Sequence, residues 1–263
     1  MPDWGAHLSE MRQCAPLVQN ITNYVAMNVM ANVLLAAGAS PAMVHAVEEA
    51  AEFTPLAGAL TINIGTPSGP WVAAMEASAQ AAQAAGLPWV LDPVAVGATA
   101  FRREIGARLL ALGPAAIRGN ASEILALSGA AAQGKGADSA DPVAAAEEAA
   151  RALACSTGAV VAVTGPVDFV TDGARGWRVT NGHPLMPRVT ALGCSLTGLV
   201  GAFLAGAEDR AQATVTALAF FGLAGERAGA IAAGPGSFQV ALLDALATIT
   251  PDALTAGARV QAA

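Results

Sequence analysis

The chain has 263 residues, 54% of them hydrophobic and 13% charged, with a formal net charge of −7. That length supports a sizeable core, and so little charge means that many segments are buried on several sides. With 13 Lys and Arg against 20 Asp and Glu, nucleic acid and anionic membranes are excluded as natural partners. Any phosphate must then be held by main-chain N–H groups, a metal and one or two Arg.

Cys14, Cys155 and Cys194 are the three cysteines. An odd, sparse set argues against a disulfide framework and for a reducing compartment. Met1-Pro2-Asp3-Trp4 does not read as a basic, then apolar, leader. No apolar run reaches the roughly 18 residues a spanning helix needs, so a soluble, cytoplasmic protein is expected.

The pattern predicts a helix over 3–14, a short strand over 16–22, and a helix capped by Asn23 that runs to Ala37 and is closed by Gly38. A short strand or exit loop follows at 40–45, then a helix over 47–57 with Glu48, Glu49 and Glu52 on one face. Residues 59–65 read as a buried strand, 71–85 as a helix closed by Gly86, and 88–93 as a strand with Asp92 at its end. A helix over 101–112, a strand over 115–120 and a helix starting at Asn120 come next. Residues 133–139 are a glycine-rich connection expected to be mobile. A helix over 142–156, a strand over 158–165 and a hairpin around Asp172-Gly173 lead to Asn181-Gly182-His183-Pro184. Two Ala-rich helices, 209–232 and 237–248, close the chain, with 257–263 expected to fray.

Short apolar strands alternating with helices imply a mostly parallel sheet with helices on both faces and right-handed crossovers. One domain over 1–263 is expected. Ligands of such sheets lie beyond the carboxyl ends of the strands. Asn20, Asn23, Met43, His45, Asp92, Arg118, Asn120 and Thr164 all fall at or just after such an end, and should converge there.

The organising stretch is Val189-Thr190-Ala191-Leu192-Gly193-Cys194-Ser195, a turn feeding a small, apolar helix. The first N–H groups of a helix lack intrahelical partners and suit an anion. Gly193 lets main chain approach a ligand closely. At this position the Cys194 thiol is expected to have a lowered pKa; its alternative role is packing.

Asn120 and Glu123 share a helical face, so they could flank a Mg²⁺ near Asp92. Spacing alone favours a plain capping box instead. Arg118 suits phosphate oxygens as a fork, or a structural ion pair. Thr164 offers a hydroxyl to a phosphate, or to a turn. His45 and His183 have no zinc-like spacing. The chain has no G-x-x-x-x-G-K-[ST] loop and no G-x-G-x-x-G after a strand.

Several segments in one order then carry a resemblance over nearly the whole length: residues 16–25 from Pro16 to Val25, Gly38-Ala39-Ser40-Pro41-Ala42-Met43, Ile62-Asn63-Ile64-Gly65-Thr66, residues 91–99 from Leu91 to Thr99, Ile117-Arg118-Gly119-Asn120-Ala121-Ser122-Glu123, Val163-Thr164-Gly165 and Asn181-Gly182-His183-Pro184. The chain resembles the hydroxyethylthiazole kinase family of the thiamine pathway, a branch of the ribokinase-like superfamily. The resemblance implies a three-layer α/β/α fold and a reaction in which ATP, with Mg²⁺, phosphorylates the hydroxyl of 4-methyl-5-(2-hydroxyethyl)thiazole. It also implies a homotrimer with active sites between subunits. By the same resemblance, Met43, Asn23, Gly65 and Ala191 would bind the thiazole, and Arg118, Thr164 and Asn120 would bind ATP. Asp92 and Glu123 would organise Mg²⁺ through water or phosphate, and Gly193 and Cys194 would serve catalysis.

One departure stands out. The family has Gly-Thr-Gly-Cys or Gly-Ala-Gly-Cys where this chain has Ala191-Leu192-Gly193-Cys194; if the first position needs φ > 0, Ala191 costs roughly 1 kcal/mol or more. That departure keeps open a kinase for another heteroaromatic alcohol, of pyrimidine or pyridoxal type, and a non-catalytic ligand-binding relative. A cysteine hydrolase ranks low, since no His is placed as a partner.

Overall fold

In the computed structural model, residues 3–129 and 142–263 are described. The glycine-rich connection 133–139 lies outside them.

The described strands form one nine-stranded sheet in the order β2-β1-β3-β4-β5-β6-β7-β8-β9. They are β1 (Leu17–Ile21), β2 (Ser40–Ala42), β3 (Ala59–Asn63), β4 (Trp89–Asp92), β5 (Ala116–Asn120), β6 (Val160–Thr164), β7 (Asp168–Thr171), β8 (Gly176–Val179) and β9 (Val260–Ala262). From β2 to β6 every pairing is parallel; β6 to β9 pair antiparallel. The helices are α1 (Trp4–Cys14), α2 (Met27–Ala37), α3 (Ala50–Phe53), α4 (Gly69–Ala85), α5 (Ala100–Leu110), α6 (Ala121–Leu127), α7 (Pro142–Thr157), α8 (Leu192–Leu204), α9 (Arg210–Ile231), α10 (Pro235–Thr248) and α11 (Pro251–Gly257).

Continuous apolar strands bury both faces, and side chains alternate between two cores. Val90, Ala116, Val160 and Ala162 join a core with α1, α2, α8, α9 and α10. Leu91, Ile117, Val161 and Val163 join a second core with α4, α5 and α7. Among the described residues no single helix is long and apolar enough to cross a membrane.

Two expected helix boundaries differ. The helix after β1 starts at Met27, because Asn23 closes a turn by accepting from the Ala26 N–H on both its main-chain and side-chain oxygens, at 3.1 and 3.0 Å. The helix expected over 47–57 shrinks to α3 and a 3₁₀ turn over Thr54–Leu56, since Pro55 has no N–H for the α-helical ladder.

The end of the chain is ordered rather than frayed. Residues 251–257 form α11 and Val260–Ala262 pair with β8. The tie is polar. The Arg259 N–H donates to Asn181 Oδ1 (2.7 Å), and its side chain meets Glu226, which also accepts from the Gly182 N–H (2.9 Å) and Asn181 Nδ2 (3.0 Å). Removal of 258–263 should therefore lower unfolding free energy by about 3 kcal/mol, the sum of several hydrogen bonds at about 1 kcal/mol each. Urea denaturation measures this, and an unchanged midpoint would mean that the strand adds nothing.

Candidate active site

Parallel strands deliver their ends to one edge, and the polar side chains there form a connected network. Asp92 ends β4 and is completely buried. Its Oδ2 accepts from Asn63 Nδ2 at the end of β3 (2.7 Å) and from Thr197 Oγ1 on α8 (2.8 Å). Arg118 Nη1 on β5 lies 3.8 Å from the same oxygen. Asp92 Oδ1 is buried without a partner. Burial pushes this carboxyl above its usual range, against the pull of Arg118 and the Thr197 hydroxyl.

Arg118 Nη2 donates to Thr164 Oγ1 at the end of β6 (2.7 Å), while its buried Nε has no partner. A Cβ on Gly193 would come within 2.9 Å of Arg118 Nη1. Only glycine lets the start of α8 sit that close to the guanidinium. The N–H groups of Leu192, Gly193 and Cys194 precede the first helical bond, from the Ser195 N–H to the Ala191 carbonyl (2.8 Å), and no side chain caps the helix. So Asp92, Arg118 and Thr164 stand beside the glycine–cysteine corner.

On the other flank Asn23 Nδ2 donates to Asn63 Oδ1 (2.9 Å) and to Cys194 Sγ (3.3 Å). Asn63 Oδ1 also accepts from the Gly65 N–H (2.9 Å), and a Cβ on Gly65 would lie 2.8 Å from Asn23 Nδ2. Asn23, Gly65 and Cys194 thus belong to one hydrogen-bonded corner. Met43 follows β2, two strands out from β3, and packs partly buried on the core that contains α8. The adjacent His45 ring stacks on Trp71 with centroids 4.3 Å apart.

Two placements correct the expectations. The Cys194 pKa is raised, not lowered: burial dominates and the Asp92 charge adds to it, outweighing Asn23 and Arg118. Desolvation and the neighbouring carboxylate outweigh the polar partners around the thiol. Asn20 turns away from the site into the sheet, where it bonds Thr61 Oγ1 (2.7 Å) and the Val18 carbonyl (2.8 Å).

Asn120 and Glu123 form the capping box that their spacing predicts. Glu123 accepts from the Asn120 N–H and, with its other oxygen, from the Ala95 N–H, both at 2.9 Å. Among the described residues no group of three or more His, Cys, Asp or Glu could hold a metal. The donors fit a Mg²⁺ that arrives with phosphates and waters, through the unpartnered oxygen of Asp92; they do not form an all-protein cage.

Residues that sequence reasoning missed are those that connect. Asn63 joins Asn23, Gly65 and Asp92. Thr197 lies three residues after Cys194 on α8, a spacing that puts both on one helical face, which was the available signal. Arg102 grips the exits of β3 and β4 through the carbonyls of Ile64 (2.6 Å), Gly65 (2.6 Å) and Val94 (2.8 Å); no local motif announces it.

A cleft of about 820 Å³ opens from this network, lined by Arg118, Thr164, Asp168, His183, Ala191 and Gly193 among others. Left-handed backbone occurs at Ala191 in the cleft lining and at Ala95 in the loop after β4. Ala191 has φ +64° and Ala95 φ +53°, two of the three non-glycine residues in the left-handed region among those described.

Comparison with known proteins identifies the family and the fold. The family model for the hydroxyethylthiazole kinase family matches residues 8–252. A hydroxyethylthiazole kinase of Cereibacter sphaeroides is 72% identical over the full length of both chains. One from Rhizobium johnstonii is 64% identical, over 98% of this chain and 97% of that relative. The solved structure of hydroxyethylthiazole kinase from Pyrococcus horikoshii OT3 superposes with TM-score 0.92 at 41% identity, covering all of both chains. The pyridoxal kinase of Staphylococcus aureus shares the fold alone, with TM-score 0.65 at 15% identity over 94% of this chain and 98% of that one.

Two outcomes are expected here. Ala191→Gly relieves a left-handed alanine worth about 1–2 kcal/mol against a glycine entropy cost of about 0.5–1 kcal/mol; the urea midpoint should rise slightly, and a fall would remove strain from the account. Iodoacetamide at pH 8 should label the exposed Cys14 and Cys155 before Cys194. Faster labelling of Cys194, followed by mass spectrometry, would mean that the thiol is activated after all.

The paired strand-end network, the ribokinase-like architecture and these matches lead to one assignment: the chain is an enzyme and belongs to the hydroxyethylthiazole kinase family.

Proposed function

We propose that the protein transfers the terminal phosphoryl group of ATP to the hydroxyl of 4-methyl-5-(2-hydroxyethyl)thiazole, giving the phosphoethyl thiazole and ADP in thiamine biosynthesis or salvage. The observation that carries this reading is the Arg118 guanidinium against the open N-terminus of α8, beside Asp92. It joins a positive fork, free N–H groups and a buried carboxylate in a chain otherwise poor in cations.

In this reading the triphosphate lies over Arg118, Asn120 and Thr164. The alcohol occupies the corner of Asn23, Gly65, Met43 and Ala191. Asp92 and Glu123 would hold Mg²⁺ through water or phosphate, and the ion would neutralise charge on the phosphates. The hydroxyl oxygen bonds to the terminal phosphorus as the bond to the ADP oxygen breaks, and the hydroxyl proton finally leaves to solvent. The N–H groups of Gly193 and Cys194 aim at the oxygens where charge develops.

Cys194 is protonated at rest, because burial raises its pKa. A resting thiol is a weak base, and phosphoryl transfer needs mainly positioning and charge stabilisation. The helix N–H groups therefore contribute more than the sulfur. Sites between subunits of a homotrimer belong to the same reading.

A coupled ADP-release assay with the thiazole alcohol and ATP tests it, set beside calorimetric titration of both ligands. Binding of both without ADP release would refute the kinase reading. Cys194→Ala should lose less than about a thousandfold in kcat, within the range of one general base. A larger loss would make the thiol essential.

A further inference from the structure

Asp168 has no part in the roles above, yet it lines the same cleft as Arg118 and Thr164. Its position follows from the sheet. Asn120 is in register with Thr164, Val163 with Phe169, and Asp168 with Val179. Because β7 runs antiparallel, its first residue reaches the edge where β4, β5, β6 and β8 end. Thr164 and Asp168 thus stand level on β6 and β7, two residues beyond the level of Asp92 and Arg118 on β4 and β5. Neighbouring strands stand about 4.8 Å apart, so β7 lies about 10 Å outward from β5. That matches the reach from a terminal phosphate to a ribose.

Asp168 Oδ1 accepts from the Gly165 N–H (2.9 Å), which fixes the carboxyl group. Its Oδ2 is not among the buried atoms without a partner. An ionised carboxylate is an acceptor on both oxygens and suits a pair of hydroxyl donors; acidic side chains hold the ribose of dinucleotides in this way. Beyond Asp168 the cleft turns apolar at Pro184, Met186, Leu218 and Phe221, as a flat base requires.

We infer that Asp168 hydrogen-bonds a ribose hydroxyl of the bound nucleotide and so sets the preference for ribonucleotides over deoxyribonucleotides. This rests on the ATP reading above. A second line supports it. Burial pushes the Asp168 carboxyl up to about 6, although the Gly165 N–H and Arg118 pull the other way. Its folded pKa lies above the unfolded value of 3.8, so ionisation opposes folding as pH rises through about 6. An Asn could hold the Gly165 N–H without that burden, so the charge points to a further donor.

The test uses the full chain at pH 8, with ATP, 2′-deoxy-ATP and 3′-deoxy-ATP as phosphoryl donors and the thiazole alcohol as acceptor. The wild type should show kcat/KM about 10- to 100-fold lower on at least one deoxynucleotide, the range for a hydrogen bond to a charged group. Asp168→Asn, which keeps the Gly165 contact, should bring ATP down to that deoxynucleotide's level and leave the deoxynucleotide within about twofold, because a contact already absent cannot be lost again. Equal use of all three donors by the wild type, or an equal loss on all three in the variant, would overturn the inference. Titration of ADP against 2′-deoxy-ADP and 3′-deoxy-ADP reads the same contact without turnover. A wild type that discriminates in binding but releases no ADP therefore refutes the kinase reading and leaves the ribose contact standing.

Discussion

A buried carboxylate anchors the site. Asp92 sits at the end of a central strand with no solvent exposure, where an isolated charge is strongly disfavoured. It is tolerated because Asn63, Thr197 and Arg118 face it from β3, α8 and β5. Those three side chains tie neighbouring strands to the helix whose N-terminus carries the free N–H groups. Position of the helix and polarity of the site are thus one constraint.

The charge balance of the chain explains the style of the site. With few cations to spare, Arg118 is the cation that faces Asp92 among the described residues, and the approach of Gly193 brings main-chain dipoles beside it. Helix N–H groups are a source of positive potential that adds no net charge. The same economy appears at the exits of β3 and β4, where Arg102 spends its guanidinium on three carbonyls rather than on a carboxylate. Strain at Ala95 and Ala191 falls in the loops that meet this centre, where close packing over-determines the backbone.

Much of the fold was legible in advance. Apolar strands of four or five residues, each followed by a helical segment, announced a parallel sheet. Gly38 and Gly86 closed helices as expected, with φ of +104° and +66°. The capping box at Asn120 could be read from spacing because both partners lie within three residues. Where a side chain works at long range the reading failed. Asn20 and Asn23 look alike three positions apart, yet one bonds inside the sheet and the other bonds Cys194 across 171 residues. The last strand was read as frayed because its pairing with β8 depends on Arg259 meeting Glu226 and Asn181, far away in sequence.

The amino-acid sequence by itself determined the order of elements, the edge at which most of the polar side chains gather and the family, because hydrophobic period, turn residues and contiguous motifs are local properties. Only the tertiary structure decided which polar groups share one site and what state they hold. Cys194 is the clearest instance: a helix N-terminus argued for a lowered pKa, but desolvation and the nearby Asp92 raise it. Burial and through-space charge are set by residues brought together from distant parts of the chain, and no local pattern encodes their sum.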